Sequence, residues 1–202
     1  MVKAVIFDLG RVLVDVKFRK ESLRFFGLPP ELTDMKLILD NAFKNELFRR
    51  FNMGQLTPHE FYRAFCAEHG LEVSFDQFRE IWCSVFAPMP EMEKLFYQVQ
   101  ARYRVGLLSD TDPIHWEYCR QHFPFLQTIP RPTLSFEIGA LKPDPQCYIT
   151  AAKNVDCRPE ECLFIDDRPQ NVEGAQKTGM QAVLFEGAAV LRRTLVRLKI
   201  LD

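Results

Sequence analysis

Six polar residues follow short apolar runs, and their types suit one another. Asp8 closes Val5-Ile6-Phe7. Ser109 and Asp110 close Val105-Gly-Leu-Leu108, and Asp166 and Asp167 close Cys162-Leu-Phe-Ile165. Lys142 lies between them in chain order, in Gly139-Ala-Leu-Lys-Pro-Asp-Pro145, where two prolines stiffen the turn. Three carboxylates converging on one crevice repel, and one must take up a proton unless a cation relieves them. A hard divalent ion such as Mg²⁺ prefers such oxygen ligands. A lysine and a hydroxyl beside that ion can hold the remaining oxygens of a phosphate. An aspartate can accept a phosphoryl group covalently and pass it to water. One aspartate after an apolar run is usually a cap or a turn; the weight lies in the recurrence in order.

The elements that must position these residues read as alternating strands and helices. Lys3–Leu9, Arg104–Ser109, Glu161–Asp166 and Met180–Phe185 have the near-continuous apolar character of strands buried on both faces, with Pro132–Phe136 a weaker fifth. Helical stretches fall at Met92–Arg102, Ile114–His122, Asp144–Val155, Pro169–Thr178 and Ala188–Leu198. Pro169 suits a first helical position, Asp144 an N-cap and Gly179 a C-cap. This order predicts an α/β fold with a doubly wound parallel sheet, whose ligands bind beyond the carboxyl ends of the strands.

Residues 17–87 break the alternation. Glu31–Phe51, Pro58–His69 and Phe75–Phe86 read as helices, and Thr57 with Glu60 and Ser74 with Gln77 read as capping boxes. Eleven of the eighteen phenylalanines lie in this insertion, which predicts a small helical bundle with its own core. The chain of 202 residues therefore divides into a core of 1–16 and 88–202 and a helical insertion of 17–87.

Composition narrows the function. With 47% hydrophobic and 26% charged residues the chain is an ordinary globule. The 26 Lys and Arg against 27 Asp and Glu lack the basic excess of a nucleic-acid binder. No apolar run approaches the ~18 residues that span a membrane. Asp8 comes too early for a signal peptide, and six scattered cysteines without a CxxC pair fit a reducing, cytoplasmic setting rather than a zinc site. His59, His69, His115 and His122 show no metal spacing and read as ordinary surface or half-buried residues.

The four motifs are Val5-Ile-Phe-Asp-Leu-Gly-Arg-Val-Leu-Val-Asp15, Leu107-Leu-Ser-Asp-Thr-Asp112, Ala140-Leu-Lys-Pro-Asp-Pro145 and Phe164-Ile-Asp-Asp-Arg-Pro-Gln-Asn171. Together they resemble the haloacid dehalogenase (HAD) superfamily of hydrolases over essentially the whole chain. With Gly54-Gln-Leu-Thr in the insertion, the chain is most similar to the branch containing alpha-D-glucose-1-phosphate phosphatase. The resemblance implies a Rossmann-like core with strand order 3-2-1-4-5 and a helical cap. It implies Asp8 as nucleophile and metal ligand, and Lys142 and Ser109 on the phosphate. Asp167 becomes the direct Mg²⁺ ligand, Asp166 a ligand directly or through water, and Asn171 the residue that orients them. The backbone carbonyl of Gly10 completes the metal site. The expected partner is a small phosphorylated substrate, a hexose 1-phosphate among the candidates.

Two positions depart from that pattern. Most phosphatases of this superfamily have a second aspartate two residues after the nucleophile, as general acid and base; here it is Gly10. A positioned acid is worth ~10²–10⁴ in rate. Asp15 could replace it if a hairpin folds back, or could be a plain turn residue. A leaving group of low pKa, as on an anomeric carbon, would not need an acid. A 2-haloacid dehalogenase would need neither acid nor metal, and a catalytically impaired binding protein would need no chemistry at all. Asp110 stands where the similar branch usually has Asn. It adds a charge beside the phosphate site that Arg11 either offsets or, as a surface arginine, does not.

Overall fold

In the computed structural model, residues 1–18, Phe25 and 45–202 are described. Five strands form one parallel sheet: β1 (Ala4–Phe7), β4 (Arg104–Ser109), β5 (Thr133–Leu134), β6 (Cys162–Asp166) and β7 (Gln181–Leu184). Their spatial order is β5-β4-β1-β6-β7, the expected 3-2-1-4-5 when the sheet strands are counted in chain order. The chain builds outward from β1 through β4 to β5, then returns to the other side of β1 for β6. This reversal opens a crevice beyond the end of β1. Register aligns the strand ends there, since Phe7 is opposite both Leu107 and Ile165.

Alternation along each strand feeds two separate apolar layers. Val5, Phe7, Leu107, Leu163 and Ile165 pack with Met92, Leu95, Phe96 and Val99 of α4 (Pro90–Gln100) and Leu191 and Leu195 of α9 (Ala188–Arg197). Ala4, Ile6, Leu108, Cys162 and Phe164 pack with Cys147, Tyr148, Ala151 and Ala152 of α7 (Pro145–Asn154) and Ala175 of α8 (Pro169–Lys177). A Cβ on Gly174 would come within 2.7 Å of Pro143 and 2.6 Å of the Tyr148 hydroxyl, so glycine lets α8 approach the turn that carries Lys142. Asp144 caps α7 through the Gln146 N–H, and Pro169 starts α8, as the sequence predicts. The cap of α8 is Thr178; Gly179 follows it with φ +90°.

The insertion holds α1 (Glu46–Asn52), α2 (Pro58–His69) and α3 (Phe75–Cys83). Both predicted capping boxes form, on Thr57 with Glu60 and on Ser74 with Gln77. Phe51, Phe61, Phe65, Phe78 and Trp82 make a third buried cluster, with Phe51 and Phe61 stacked 4.1 Å apart. The predicted helix 31–51 falls partly outside the described residues; its described part runs from Glu46. The predicted helix 75–86 ends at Cys83. Phe86–Pro88 instead form β3, antiparallel to β2 (Val14–Val16), because β-branched Val14 and Val16 offer it an edge. This ribbon joins the insertion to the sheet, and the expected junctions at 16/17 and 87/88 fall on it. No helix among the described residues is long and apolar enough to cross a membrane.

Candidate active site

Lys142 is the centre of the crevice. Its ammonium donates to Asp8 Oδ1 and to Asp166 Oδ2, both at 2.7 Å, and lies 3.3 Å from the Leu108 carbonyl. Burial alone would lower its pKa; the carboxylates of Asp166, Asp8 and Asp110 reverse this and hold the ammonium well above its ordinary range. The lysine stays charged although its side chain is 1% exposed.

The carboxylates answer in kind. Burial pushes Asp8 up to about 8, opposed by Lys142 and reinforced by Asp166 and Asp167. Burial also raises Asp110 against the pull of Lys142, and Asp167 against the pull of Arg11. Asp8, Asp110, Asp166 and Asp167 face Lys142, Arg11 and Arg168, so carboxylates outnumber cations in the cluster. A divalent cation would offset that excess.

The donor set fits such an ion. Oxygens of Asp8, Asp166 and Asp167 lie within 4.8 Å of one another. Asp166 is already occupied: Oδ1 accepts from the Arg168 N–H and Asn171 Nδ2, and Oδ2 from Lys142 and Asn171 Nδ2. A carboxylate has about four lone-pair sites, so little of Asp166 remains for direct coordination. Asp167 is the opposite case. Its buried Oδ2 has no aligned hydrogen bond, although Arg11 Nη1 is an ion-pair partner at 2.9 Å. Asn171 is buried against Asp166, as the resemblance implies.

The other predicted residues divide. Ser109 is buried at the end of β4, beside Asp110. Asp110 Oδ1 accepts from the Lys142 backbone N–H at 3.0 Å, so it orders the lysine turn. Arg11 follows Gly10 with φ +63°, in the turn closed by its N–H to the Val14 carbonyl. A Cβ on Gly10 would meet a Val16 methyl at 3.3 Å, tight but not closed to a side chain. Asp15 pairs with Lys17 at 2.6 Å and stands outside the carboxylate group.

Sequence reading passed over a second polar unit. Asp112 is fully buried, caps α5 (Pro113–His122) through the N–H groups of Ile114 and His115, and also accepts from Trp82 Nε1 at 3.2 Å. Its signal was the Asp-Pro pair that starts a helix. Its reach into the insertion leaves no such mark.

A parallel α/β sheet with buried carboxylates and a lysine at the ends of its central strands defines an enzyme site suited to a hydrolase. The chain belongs to the haloacid dehalogenase-like hydrolase family, whose model matches residues 2–179, and it is a hydrolase. It is 28% identical to D-ribitol-5-phosphate phosphatase of Bacteroides thetaiotaomicron, over 96% of this chain and 97% of that one. It is 26% identical to flavin mononucleotide hydrolase 1 of Arabidopsis thaliana, over 95% and 75%. A HAD family enzyme from Bacteroides thetaiotaomicron, solved in complex with magnesium and inorganic phosphate, superposes with a TM-score of 0.77 at 26% identity, covering 91% of this chain and 94% of that one. The L-2-haloacid dehalogenase of Xanthobacter autotrophicus shares the fold, with a TM-score of 0.64 at 18% identity over 100% and 85%.

Proposed function

We propose that the protein is a Mg²⁺-dependent phosphatase of a small phosphorylated metabolite, working through an aspartyl-phosphate on Asp8. The observation that carries this reading is the buried Lys142 shared between Asp8 and Asp166, with Asp167 beside them. The phosphatase relative that matches nearly end to end supports it, as does the related structure with magnesium and phosphate.

Lys142 keeps one Asp8 oxygen paired and leaves the other to attack phosphorus. The P–O bond to the leaving group breaks as the new Asp8–O–P bond forms, and the departing oxygen takes its proton from water. Water then attacks phosphorus, releasing inorganic phosphate and restoring the Asp8 carboxylate. Lys142 and Ser109 hold phosphate oxygens through both steps, while Asp110 fixes the Lys142 backbone. Asp8, Asp167 and the Gly10 carbonyl would hold the Mg²⁺, with Asp166 orienting the site around it. Bound there, the ion would neutralise charge developing on the phosphoryl oxygens. Residues 17–87 form the cap that excludes water, on a core of 1–16 and 88–202.

Gly10 supplies no proton, and Asp15 stands outside the carboxylate group, beside Lys17. The substrate must therefore bring a leaving group that departs without help, which favours a sugar phosphate and, within that class, a hexose 1-phosphate. A screen of phosphorylated metabolites with and without Mg²⁺ tests this. Turnover should require the ion and vanish in Asp8→Asn; retained activity in that variant overturns the mechanism. Metal-independent release of halide from 2-haloacids, without phosphatase activity, overturns the reaction class.

A further inference from the structure

Arg11 stands in a turn that strains its backbone. The Leu9 carbonyl accepts from the N–H groups of Leu13 and Val14 at 2.9 and 3.0 Å, and the Arg11 N–H donates to the Val14 carbonyl at 2.6 Å. Inside this closed turn Arg11 has φ +63°, a backbone region that suits glycine or asparagine better than arginine. Strain of this kind, held in place by the structure around it, points to a use for the side chain.

That side chain reaches Asp167, and the pair is ill-matched. Nη1 lies 2.9 Å from Oδ2, yet this buried oxygen has no aligned hydrogen bond. The guanidinium is 36% exposed against 9% for the carboxylate. Of the three cations that pull on Asp167, Arg11 pulls hardest, ahead of Lys142 and Arg168, but burial outweighs it and the carboxyl stays raised. An ion pair so exposed and so poorly aligned is easily given up.

Asp167 is also a carboxylate with lone pairs to spare, grouped with oxygens of Asp8 and Asp166. A divalent cation takes carboxylate oxygens directly and carries twice the charge of a guanidinium. Two positive groups on one carboxylate repel, and the half-exposed one has room to leave. Lys142 cannot trade places, because its side chain is 1% exposed and two carboxylates hold it at 2.7 Å. Arg11 can, since the turn fixes its backbone and leaves its long side chain at the edge of the crevice. Its fork of donors matches the oxygens of a phosphate.

We propose that Arg11 exchanges partners as ligands bind: its guanidinium rests on Asp167 in the metal-free protein, yields that carboxylate to Mg²⁺, and closes on the phosphate oxygens beside Asp8. Arg11 is thereby a competitor of the cation and a ligand of the anion. The exchange rests on the phosphatase reading above and adds to it the residue through which the two ions are coupled.

Calorimetric titration of the full chain, stripped of divalent ions with EDTA and dialysed, reads both halves. Arg11→Asn and Arg11→Gly both suit the left-handed turn and both remove the guanidinium, so an effect they share comes from the lost charge and not from the backbone. Mg²⁺ titrated alone should bind each variant about tenfold tighter than the wild type. Inorganic phosphate, titrated at saturating Mg²⁺, should bind each variant about tenfold more weakly. The opposite signs are the signature, since a merely structural arginine would weaken both ions or neither. Mg²⁺ binding that is unchanged or weaker in either variant overturns the competition, and unchanged phosphate binding overturns the exchange. If the wild type binds neither ion, the phosphatase reading falls and the exchange with it. If the wild type binds both and the variants match it, only the role of Arg11 falls.

Discussion

Replacing the proposed nucleophile should stabilise the protein when no divalent ion is present. Asp8 is buried, and its carboxyl is pushed from an ordinary 3.8 to about 8. Between those values the folded chain keeps a proton that the unfolded chain has lost. Stability therefore falls as pH rises through the window, by ~1.4 kcal/mol per unit, and levels off above the folded pKa. By pH 7 about three units of the window have been crossed, a penalty on the order of 4 kcal/mol. Asparagine has the shape of the neutral acid, can still accept from Lys142, and has no proton to lose. In EDTA at pH 7, Asp8→Asn should resist urea better than the wild type by roughly 2–4 kcal/mol, a gain of several degrees in Tm for a chain of this size. The gap should close toward pH 4. Adding Mg²⁺ should raise the wild-type Tm more than that of the variant, because the variant has lost a ligand. Urea titrations at half-unit pH steps measure all of this. A gap that does not change with pH, or a variant less stable than wild type at pH 7 in EDTA, refutes the account of crowded carboxylates.

The other predictions concern one charge and one close approach. Lys142→Met removes the shared counter-ion of Asp8 and Asp166 and should cost about 3–5 kcal/mol at pH 7 in EDTA. The loss should shrink at pH 5, where the carboxylates protonate more easily; equal losses at both pH values would contradict it. Gly54 has φ +70°, and a Cβ there would stand 2.1 Å from the Phe136 carbonyl oxygen, so the insertion touches the core backbone at this point. Gly139 has φ +68° with nothing within 4 Å. Both alanine variants suffer the left-handed strain of about 1 kcal/mol, but Gly54→Ala should lose at least ~2 kcal/mol more and speed hydrogen exchange at Phe136. Equal losses in urea would show that the contact carries nothing.

The parts of this molecule legible in its sequence are those fixed by local patterns. Apolar runs marked four sheet strands, three of them closed by carboxylates, and Thr57, Ser74 and Asp144 marked helix starts by side chains that reach only two or three residues. The β2–β3 ribbon escaped notice because Phe86 reads as the end of an aromatic helix until Val14 and Val16 offer it an edge. The reach of Asp112 escaped for a related reason. On its own helix it is one N-cap among several, and the indole N–H it accepts comes from Trp82, thirty residues back. Nothing in a helical period records a partner on another element.

Position 10 ties the electrostatics of the site to its chemistry. The cluster already holds four carboxylates against Lys142, Arg11 and Arg168, with burial raising Asp8, Asp110 and Asp167. A fifth carboxylate at 10 would start from a Cβ pressed 3.3 Å against Val16 and would point another negative charge toward the same crevice. It would need either a proton or a share of the cation that Asp8 and Asp167 are placed to hold. Glycine avoids both costs and leaves a backbone carbonyl, a weaker but uncharged oxygen donor. The arrangement is self-consistent only if the bond to be broken needs no proton from the protein. If the proposed mechanism holds, substrate choice is set partly by a side chain that is missing, while Lys142 balances the charge that is there.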